Sequence, residues 1–196
     1  GVRIFELLDN EPALVDIEDA IELPRLSGDI ELKNVSYSYV PGQDVLSDVN
    51  LHIQAGQTVA IVGPTGAGKT TLVSLIARFY DVDRDRGAIL VDGHDIRDAK
   101  RKSLATQMSM VLQEPFLFTG TVRENIKYGH PAATDDQMIE AAKSVDAHDL
   151  ISRLEDGYET LLGREFEGGQ DLSRGEWQSL AIARLYLRDA QLLVLD

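Results

Sequence analysis

The pattern of apolar and polar residues predicts a strand and a helix on either side of a loop rich in glycine. Residues 57–62 form a short apolar run that is typical of a buried strand. Residues 71–79 have the apolar spacing of a helix. The loop between them is therefore predicted to join the carboxyl end of a strand to the amino end of a helix.

Other segments also have strand or helix patterns. Alternating apolar residues from Ile30 predict a strand, and a Pro-Gly turn separates it from a second strand. The second strand is predicted at 45–53, further strands at 87–93, 108–112 and 191–196, and helices at 121–127, at 135–145 and after residue 173. We expect an α/β fold with a mainly parallel core sheet, a β subdomain before the loop and a helical insertion in the middle of the chain.

The loop itself has the residue types of a phosphate-binding loop. Residues 63–71 read GPTGAGKTT and match the pattern G-x-x-x-x-G-K-[ST]. Glycines allow backbone N–H groups to point at an anion, and the helix that follows adds the positive end of its dipole. Lys69 is placed to reach the β and γ phosphates, and the Thr70 hydroxyl to hold Mg²⁺. The predicted nucleotide-binding residues of this loop are Gly63, Pro64, Thr65, Gly66, Ala67, Gly68, Lys69, Thr70 and Thr71.

Composition narrows the range of partners. The 196 residues carry a formal net charge of −14, which argues against a nucleic-acid partner. The chain has no cysteine, so a disulfide framework and a thiolate metal site are both excluded. Its apolar runs are all shorter than the roughly 20 residues of a membrane helix. We expect a soluble domain whose membrane role, if it has one, depends on a partner or on another segment.

Two further positions have two interpretations each, and a third motif indicates a helix start. Tyr39 lies at the end of the first predicted strand, where it could stack on a nucleobase or simply contribute to strand packing. Asp196 follows an apolar strand, as does the second Mg²⁺-handling residue of P-loop nucleotidases, but a carboxylate can also just end a strand. Ser173 and Glu176 have the spacing of a helix-capping box.

Taken in order, four motifs resemble those of the nucleotide-binding domain of an ABC transporter. They are the loop at 63–71, Gln113 after a core strand, the sequence LSRGE at 172–176 and the apolar strand that ends at Asp196. The resemblance implies a P-loop NTPase core with an antiparallel β subdomain around 29–60 and a helical subdomain at about 114–175.

The same resemblance implies ATP and Mg²⁺ as ligands and assigns roles to single residues. Tyr39 stacks on adenine, Thr70 and Gln113 coordinate Mg²⁺, and Asp196 orients that ion through water. Ser173 and Gly175 meet the γ-phosphate of an ATP molecule that a second nucleotide-binding domain holds, in a homodimer or a heterodimer.

Two segments are similar to the exporter branch in particular. Residues 113–126 resemble the segment that receives the coupling helices of a transmembrane domain, and residues 3–8 resemble the junction after the last membrane helix. Residues 1–28 are accordingly expected to be a linker that follows an absent transmembrane domain. The implied location is the cytoplasmic face of the cell membrane, as part of a transporter.

The chain departs from the family pattern at the signature and at its end. Arg174 stands in place of a glycine and Glu176 in place of a glutamine. Glu176 is either a helix cap or a phosphate neighbour, and Arg174 either adds charge near the phosphate or faces solvent. The catalytic Glu of the family directly follows the position of Asp196, so the nucleotide-binding domain at 29–196 is expected to be incomplete at its C-terminus. We expect this fragment to bind ATP with little hydrolysis.

Two alternative functions remain open at this point. One is a soluble ABC-type ATPase without a membrane domain, which the exporter-like segments and the acidic charge disfavour. The other is a degenerate regulatory nucleotide site in a heterodimeric exporter, which Arg174 suggests.

Overall fold

The computed structural model describes residues 14–111, 118–163 and 169–195. They fall into two compact units, with the division between Ala105 and Thr106. The strands divide between the two units, whereas the helix at Arg101–Gln107 spans the division. Each unit is described by itself.

The first unit is built on a four-stranded antiparallel sheet with the strand order β2-β1-β3-β4. Its strands are β1 (Ile30–Tyr37), β2 (Leu46–Ile53), β3 (Ala88–Val91) and β4 (His94–Asp95). Helix α1 (Lys69–Ile76) follows the phosphate loop, and helix α2 (Arg101–Gln107) follows a short 3₁₀ turn at Ile96–Asp98. The strands predicted from Ile30, at 45–53 and at 87–93 are thus confirmed, as is the helix after the loop.

Strand β1 shows why the apolar pattern places it in the sheet. Ile30, Leu32 and Val35 are buried, and Val35 is completely inaccessible to solvent. Val35 lies opposite Val49 of β2, and the register shifts between Leu32 and Val35. A bulge of this kind takes up one extra residue, so the apolar side chains on both sides of it face the same core.

The bulge of β1 brings the backbone of Gly87 very close to it. Asn34 has a positive φ of 50°. A Cβ atom on Gly87, where φ is +113°, would lie 2.6 Å from the backbone oxygens of both Lys33 and Asn34. Only glycine fits between the bulge and the start of β3, because any Cβ would clash with two carbonyl oxygens.

Residues 14–28, the described part of the predicted linker, are fixed to the first unit. The amide of Ile21 donates to the Asp98 carbonyl at 2.9 Å. Leu23 and Leu26 are buried. The Asp92 carboxylate accepts backbone hydrogen bonds from residues 27–29, and despite its desolvation these bonds hold the pKa of Asp92 below its ordinary value. Residues 1–13 lie outside the described residues.

The strand predicted at 57–62 is wrong. In the structure this stretch has no strand conformation and is exposed throughout. Val59, Ile61 and Val62 are 43%, 38% and 87% exposed. A strand requires a neighbour for its hydrogen bonds, and no pairing to this stretch is found within the described part of the chain. An apolar run alone therefore did not determine its conformation.

The second unit contains two short sheets and most of the helices. Its elements are β5 (Met108–Val111), β6 (Gly120–Thr121), α3 (Val122–Lys127), α4 (Asp135–Ser144), α5 (Ala147–Ile151), β7 (Leu161–Leu162), α6 (Arg174–Leu187) and β8 (Leu192–Leu195). Strand β5 pairs with β8 in parallel, and β6 pairs with β7 in an antiparallel ladder. The helices predicted at 121–127, at 135–145 and after residue 173 are confirmed. The parallel pairing in the described ranges is limited to β5 with β8, apart from isolated bridges, so the expected mainly parallel sheet is not seen there.

The helices of the second unit share one apolar core. Helix α6 supplies Leu180 and Ala183, and these pack with Met138 and Ala142 of α4 and with Ile126 of α3. All five are buried almost completely, and by area each large aliphatic chain contributes about 1.5–3 kcal/mol. Packing, more than helix propensity, therefore stabilises these short helices.

The first prediction concerns the glycines on either side of β3. Gly87→Ala should lower the free energy of unfolding by about 3 kcal/mol, because it adds both left-handed strain and a clash with two backbone oxygens. Gly93→Ala is the matched control: its φ of +78° is similarly strained, but a Cβ there meets no atom within 4 Å, so its cost should be about 1–2 kcal/mol. Urea unfolding of both variants measures the difference. Equal losses would contradict the close approach of Gly87 to β1.

Candidate functional site

The phosphate loop turns through two left-handed glycines before α1 begins. Gly66 has φ +83° and Gly68, the N-cap of α1, has φ +85°. Glycine adopts these angles without the strain that a Cβ would cause. The loop therefore has the backbone path that its sequence pattern predicts, although the strand expected before it is not formed.

Gly68 also sets the distance between the loop and the start of β2. A Cβ at Gly68 would lie 2.7 Å from Leu46 Cδ2 and 3.1 Å from the Val45 carbonyl oxygen. The close contact is possible because Gly68 has no side chain. It places the first turn of α1 directly beside the turn that connects β1 to β2.

The first turn of α1 is suited to an anion. Helix α1 has no side-chain cap at Gly68 and no acidic residue in its first turn. Helices α3, α4 and α6 all begin with a capping box and carry an acidic residue there. Helix α1 thus offers its positive end without a carboxylate of its own to occupy it. Helix α2 also has no acidic residue in its first turn, but its Arg101 amide donates to the Asp16 carboxylate.

Lys69 is folded back over the loop. Its Nζ donates to the carbonyl oxygens of Gly63 and Pro64, at 2.8 and 2.9 Å. These contacts hold the ammonium group against the carbonyl oxygens at the beginning of the loop. A bound phosphate would offer this ammonium group a charged acceptor, which forms a stronger hydrogen bond than a neutral carbonyl does.

Tyr39 lies next to the beginning of α1. Its hydroxyl donates to Thr71 Oγ1 at 3.2 Å, and half of the residue remains exposed. Thr71 itself is buried, and its hydroxyl oxygen accepts the hydrogen bond that holds Tyr39. The structure thereby brings Tyr39 and the loop together in the first unit.

The turn that carries Tyr39 is held by its neighbours. The amide of Val45 donates to the Tyr37 carbonyl at 2.8 Å, and that of Gln43 donates to the Val40 carbonyl at 3.0 Å. Arg86 bonds the Ser38 hydroxyl and pairs with Asp44 at 2.6 Å. These contacts fix the backbone on both sides of Tyr39.

The predicted site included neither Tyr37 nor Tyr80, yet both rings contact Tyr39. The ring centroids of Tyr37 and Tyr39 are 5.1 Å apart, and those of Tyr39 and Tyr80 are 5.3 Å apart. Tyr37 precedes Tyr39 by two residues on a strand, a spacing that can place two side chains on one face. Tyr80 lies beyond the end of α1, and sequence spacing offered no signal for it.

In the second unit, the LSRGE sequence opens helix α6. The Ser173 hydroxyl accepts from the Glu176 amide at 3.4 Å, and the Ser173 amide donates to Glu176 Oε2 at 2.7 Å. The backbone and side-chain hydrogen bonds with Ser173 hold the pKa of Glu176 below its ordinary value. The capping box is confirmed, and Glu176 acts in the structure as its cap. Arg174 is exposed, and a Cβ on Gly175 would meet no atom within 4 Å.

Two of the predicted metal-binding residues, Gln113 and Asp196, lie outside the described residues. Strands β5 and β8, which lead toward them, are parallel, and Val111 lies opposite Leu195 at their ends. Thr70 is exposed in the first turn of α1. The three predicted residues carry a hydroxyl, an amide oxygen and a carboxylate, and each of these is an oxygen ligand of a kind that suits Mg²⁺. In the described ranges, no cluster of three or more His, Asp or Glu side chains could hold a metal ion instead.

A cavity of about 260 Å³ opens in the second unit beside the segment predicted to meet a membrane domain. Its walls include Phe118, Tyr128 and Arg184. The Arg184 guanidinium lies over both aromatic rings, 5.2 Å from the centroid of Phe118 and 5.7 Å from that of Tyr128. Tyr128 remains 61% exposed.

Asn125 connects this cavity wall to helix α6. Its buried side chain accepts from the Phe118 amide at 2.8 Å and donates to the Phe118 and Thr121 carbonyls at 2.8 and 3.0 Å. Arg184 donates both to the Asn125 carbonyl and to Asn125 Oδ1. Through Asn125, these hydrogen bonds connect the backbone at Phe118 and Thr121 to Arg184 of helix α6.

None of the helices in the described part of the chain is long and apolar enough to cross a membrane.

Comparison with known proteins gives consistent matches over the whole chain. Residues 46–196 match the family model described as ABC transporter. The chain is 48% identical over 194 residues to the ATP-dependent lipid A-core flippase of Syntrophus aciditrophicus, covering 99% of this chain and 31% of that protein. It is 47% identical over 195 residues to the putative multidrug export ATP-binding/permease protein YgaD of Bacillus subtilis, covering 99% of this chain and 33% of that protein.

A solved structure has the same fold. A bacterial Atm1-family ABC exporter with ATP bound superposes on this chain with a TM-score of 0.91 and 36% sequence identity, covering 100% of this chain and 33% of that one. The chain spans about a third of the length of the relatives that it matches. It therefore belongs to the ABC transporter family, in which it corresponds to the nucleotide-binding domain of the exporters.

Proposed function

We propose that this chain binds and hydrolyses ATP in an intact exporter and thereby drives the export of a substrate across a membrane. The observation that carries the proposal is the arrangement in the first unit, where Tyr39 and the phosphate loop meet at the beginning of α1. A base platform and an anion site lie there side by side, as a nucleotide requires.

The phosphate loop holds the triphosphate by charge and by its backbone. The N–H groups of residues 63–71 and the positive end of α1 attract the phosphate oxygens. Lys69 exchanges its bonds with the Gly63 and Pro64 carbonyls for bonds with phosphate. This exchange replaces neutral acceptors with charged ones, and it opens the loop for the ligand.

Thr70, Gln113 and Asp196 are the proposed residues that hold Mg²⁺, the latter through water. The ion, when bound, neutralises charge on the β and γ phosphates. Thr70 supplies its hydroxyl from the first turn of α1, so one helix turn orients both the metal ligand and Lys69.

Two such domains are proposed to enclose the nucleotides head to tail. Ser173 and Gly175 then face the γ-phosphate of the ATP molecule on the second domain, in a homodimer or a heterodimer. The open space at Gly175 supports this role. A Cβ there would meet no atom within 4 Å, so a ligand can approach the start of α6 closely. Glu176 continues to accept the hydrogen bond from the Ser173 amide and so stabilises the first turn of α6.

A transmembrane domain is the second proposed partner. We propose that its coupling helices contact the second unit near the cavity beside Phe118 and Tyr128, within or next to the segment at 113–126. Exposed aromatic surface of this kind is common at protein interfaces. Residues 1–28 are proposed to connect the two domains, and the proposed location is the cytoplasmic face of the cell membrane.

Lys69 offers a direct test of the phosphate site. Lys69→Ala should weaken ATP binding at least tenfold, because a charge-assisted contact to phosphate is lost. Lys33→Ala is the control, since Lys33 is an exposed lysine that pairs with Glu31 on β1. Titration calorimetry with Mg-ATP measures both affinities. An unchanged affinity in Lys69→Ala would refute the proposed phosphate site.

A second test concerns hydrolysis. Assayed as these 196 residues, the protein should bind ATP and turn it over slowly, because the family's general base follows the position of Asp196. A version extended by the residues that follow in an intact exporter should hydrolyse ATP at least tenfold faster, as general base catalysis contributes about 10²–10⁴-fold. Phosphate release measures both rates. Equal and substantial rates would show that the base lies within the 196 residues.

A further inference from the structure

Three tyrosines form one cluster beside the phosphate loop. Tyr39 makes edge-to-face contacts with Tyr37, at an interplanar angle of 90°, and with Tyr80, at 86°. Tyr37 and Tyr80 also touch, with centroids 5.9 Å apart. Edge-to-face contacts between aromatic rings are favourable because the positive edge of one ring meets the negative face of another.

The cluster joins three separate points of the first unit. Tyr37 ends β1, Tyr39 lies in the turn after it, and Tyr80 lies beyond the last residue of α1. The Tyr39 hydroxyl also reaches Thr71 in the first turn of the same helix. Tyr39 is therefore held at the beginning of α1 by its hydrogen bond to Thr71. Just past the end of α1, it is held by its ring contact with Tyr80.

These contacts restrict the Tyr39 side chain but leave part of it accessible. Its backbone is held by the turn, and its ring is held by two neighbouring rings and one hydrogen bond. Half of the residue remains exposed, so ring surface is available to a planar ligand. Burial, together with the nearby Tyr39 and Tyr80, raises the pKa of Tyr37. Tyr37 is therefore uncharged around neutral pH, and ring contacts hold it against Tyr39 and Tyr80.

We propose that Tyr80, together with Tyr37, is a positioning residue that sets the Tyr39 ring for the adenine base and so increases affinity for the base part of the nucleotide. The inference rests on the proposed function, in which Tyr39 is the base platform. It adds a residue to which the phosphate-loop pattern gives no role. A preset ring binds more tightly because it loses less conformational freedom when the ligand arrives.

The test separates the base from the phosphates by using two ligands in the intact exporter. ATP and inorganic tripolyphosphate each displace a fluorescent trinitrophenyl-ATP, and both ligands engage the phosphate loop, but ATP alone presents adenine. Tyr80→Leu should weaken ATP threefold to tenfold, a change of the size that one aromatic contact supplies, and should leave tripolyphosphate unchanged. Unchanged tripolyphosphate affinity also shows that the variant is folded.

Three further variants test whether the change in ATP affinity depends on the ring of Tyr80 and on its contact with Tyr39. Tyr80→Phe keeps the ring and should restore ATP affinity, whereas loss in this variant would mean that the hydroxyl acts instead of the ring. Tyr186→Leu makes the same change at an exposed tyrosine of the second unit and should affect neither ligand. Tyr39→Leu should weaken ATP at least as much as Tyr80→Leu does.

The outcomes distinguish this inference from the proposed function. If Tyr39→Leu weakens ATP and Tyr80→Leu does not, the base platform stands and the positioning role of Tyr80 is overturned. If Tyr80→Leu weakens ATP and tripolyphosphate equally, Tyr80 supports the phosphate loop, and the positioning role is again overturned. If Tyr39→Leu leaves ATP unchanged, the base platform itself fails, and the positioning role fails with it.

Discussion

The close approach of Gly68 to the turn between β1 and β2 is the constraint on which the nucleotide site depends. Helix α1 can begin beside Val45 and Leu46 because Gly68 has no side chain and accepts a left-handed φ. This approach brings Thr71 within reach of the Tyr39 hydroxyl. The base platform and the phosphate loop come from separate parts of the chain, and this one contact sets the spacing between them. Substitution at Gly68 would therefore disturb both halves of the site.

Helices in the described residues differ in how their first amides are satisfied. Helices α3, α4 and α6 satisfy their first amides with a capping box and place an acidic side chain near the positive end of the dipole. Helix α1 has neither. A helix start that is neutralised by its own carboxylate attracts an anion less strongly, so the start of α1 is the stronger of the two proposed phosphate contacts and the start of α6 is the weaker. At the start of α6, Glu176 is the acidic residue concerned, and its lowered pKa keeps it charged there.

The sequence patterns correctly predicted the features that depend on interactions between residues close together in the chain. The glycine loop, the capping box at Ser173 and the strand that contains Val35 follow from backbone freedom, hydrogen bonding at short range and apolar alternation. The prediction at 57–62 was wrong because a strand depends on a distant partner for its ladder, and composition alone does not supply one. Tyr80 was missed for a similar reason, since its contact with Tyr39 is formed by tertiary structure. The roles of Gln113 and Asp196 rest on the family resemblance and remain predictions.

The most direct test of the nucleotide site is a cryo-electron microscopy map of the intact exporter with Mg²⁺ and a non-hydrolysable ATP analogue. We predict adenine density against the Tyr39 ring and triphosphate density along residues 63–71, with Lys69 turned from the Gly63 carbonyl toward phosphate. Density for the base away from Tyr39, or for the triphosphate outside the loop, would contradict the central claim that this unit is built to hold ATP between the β1–β2 turn and the start of α1.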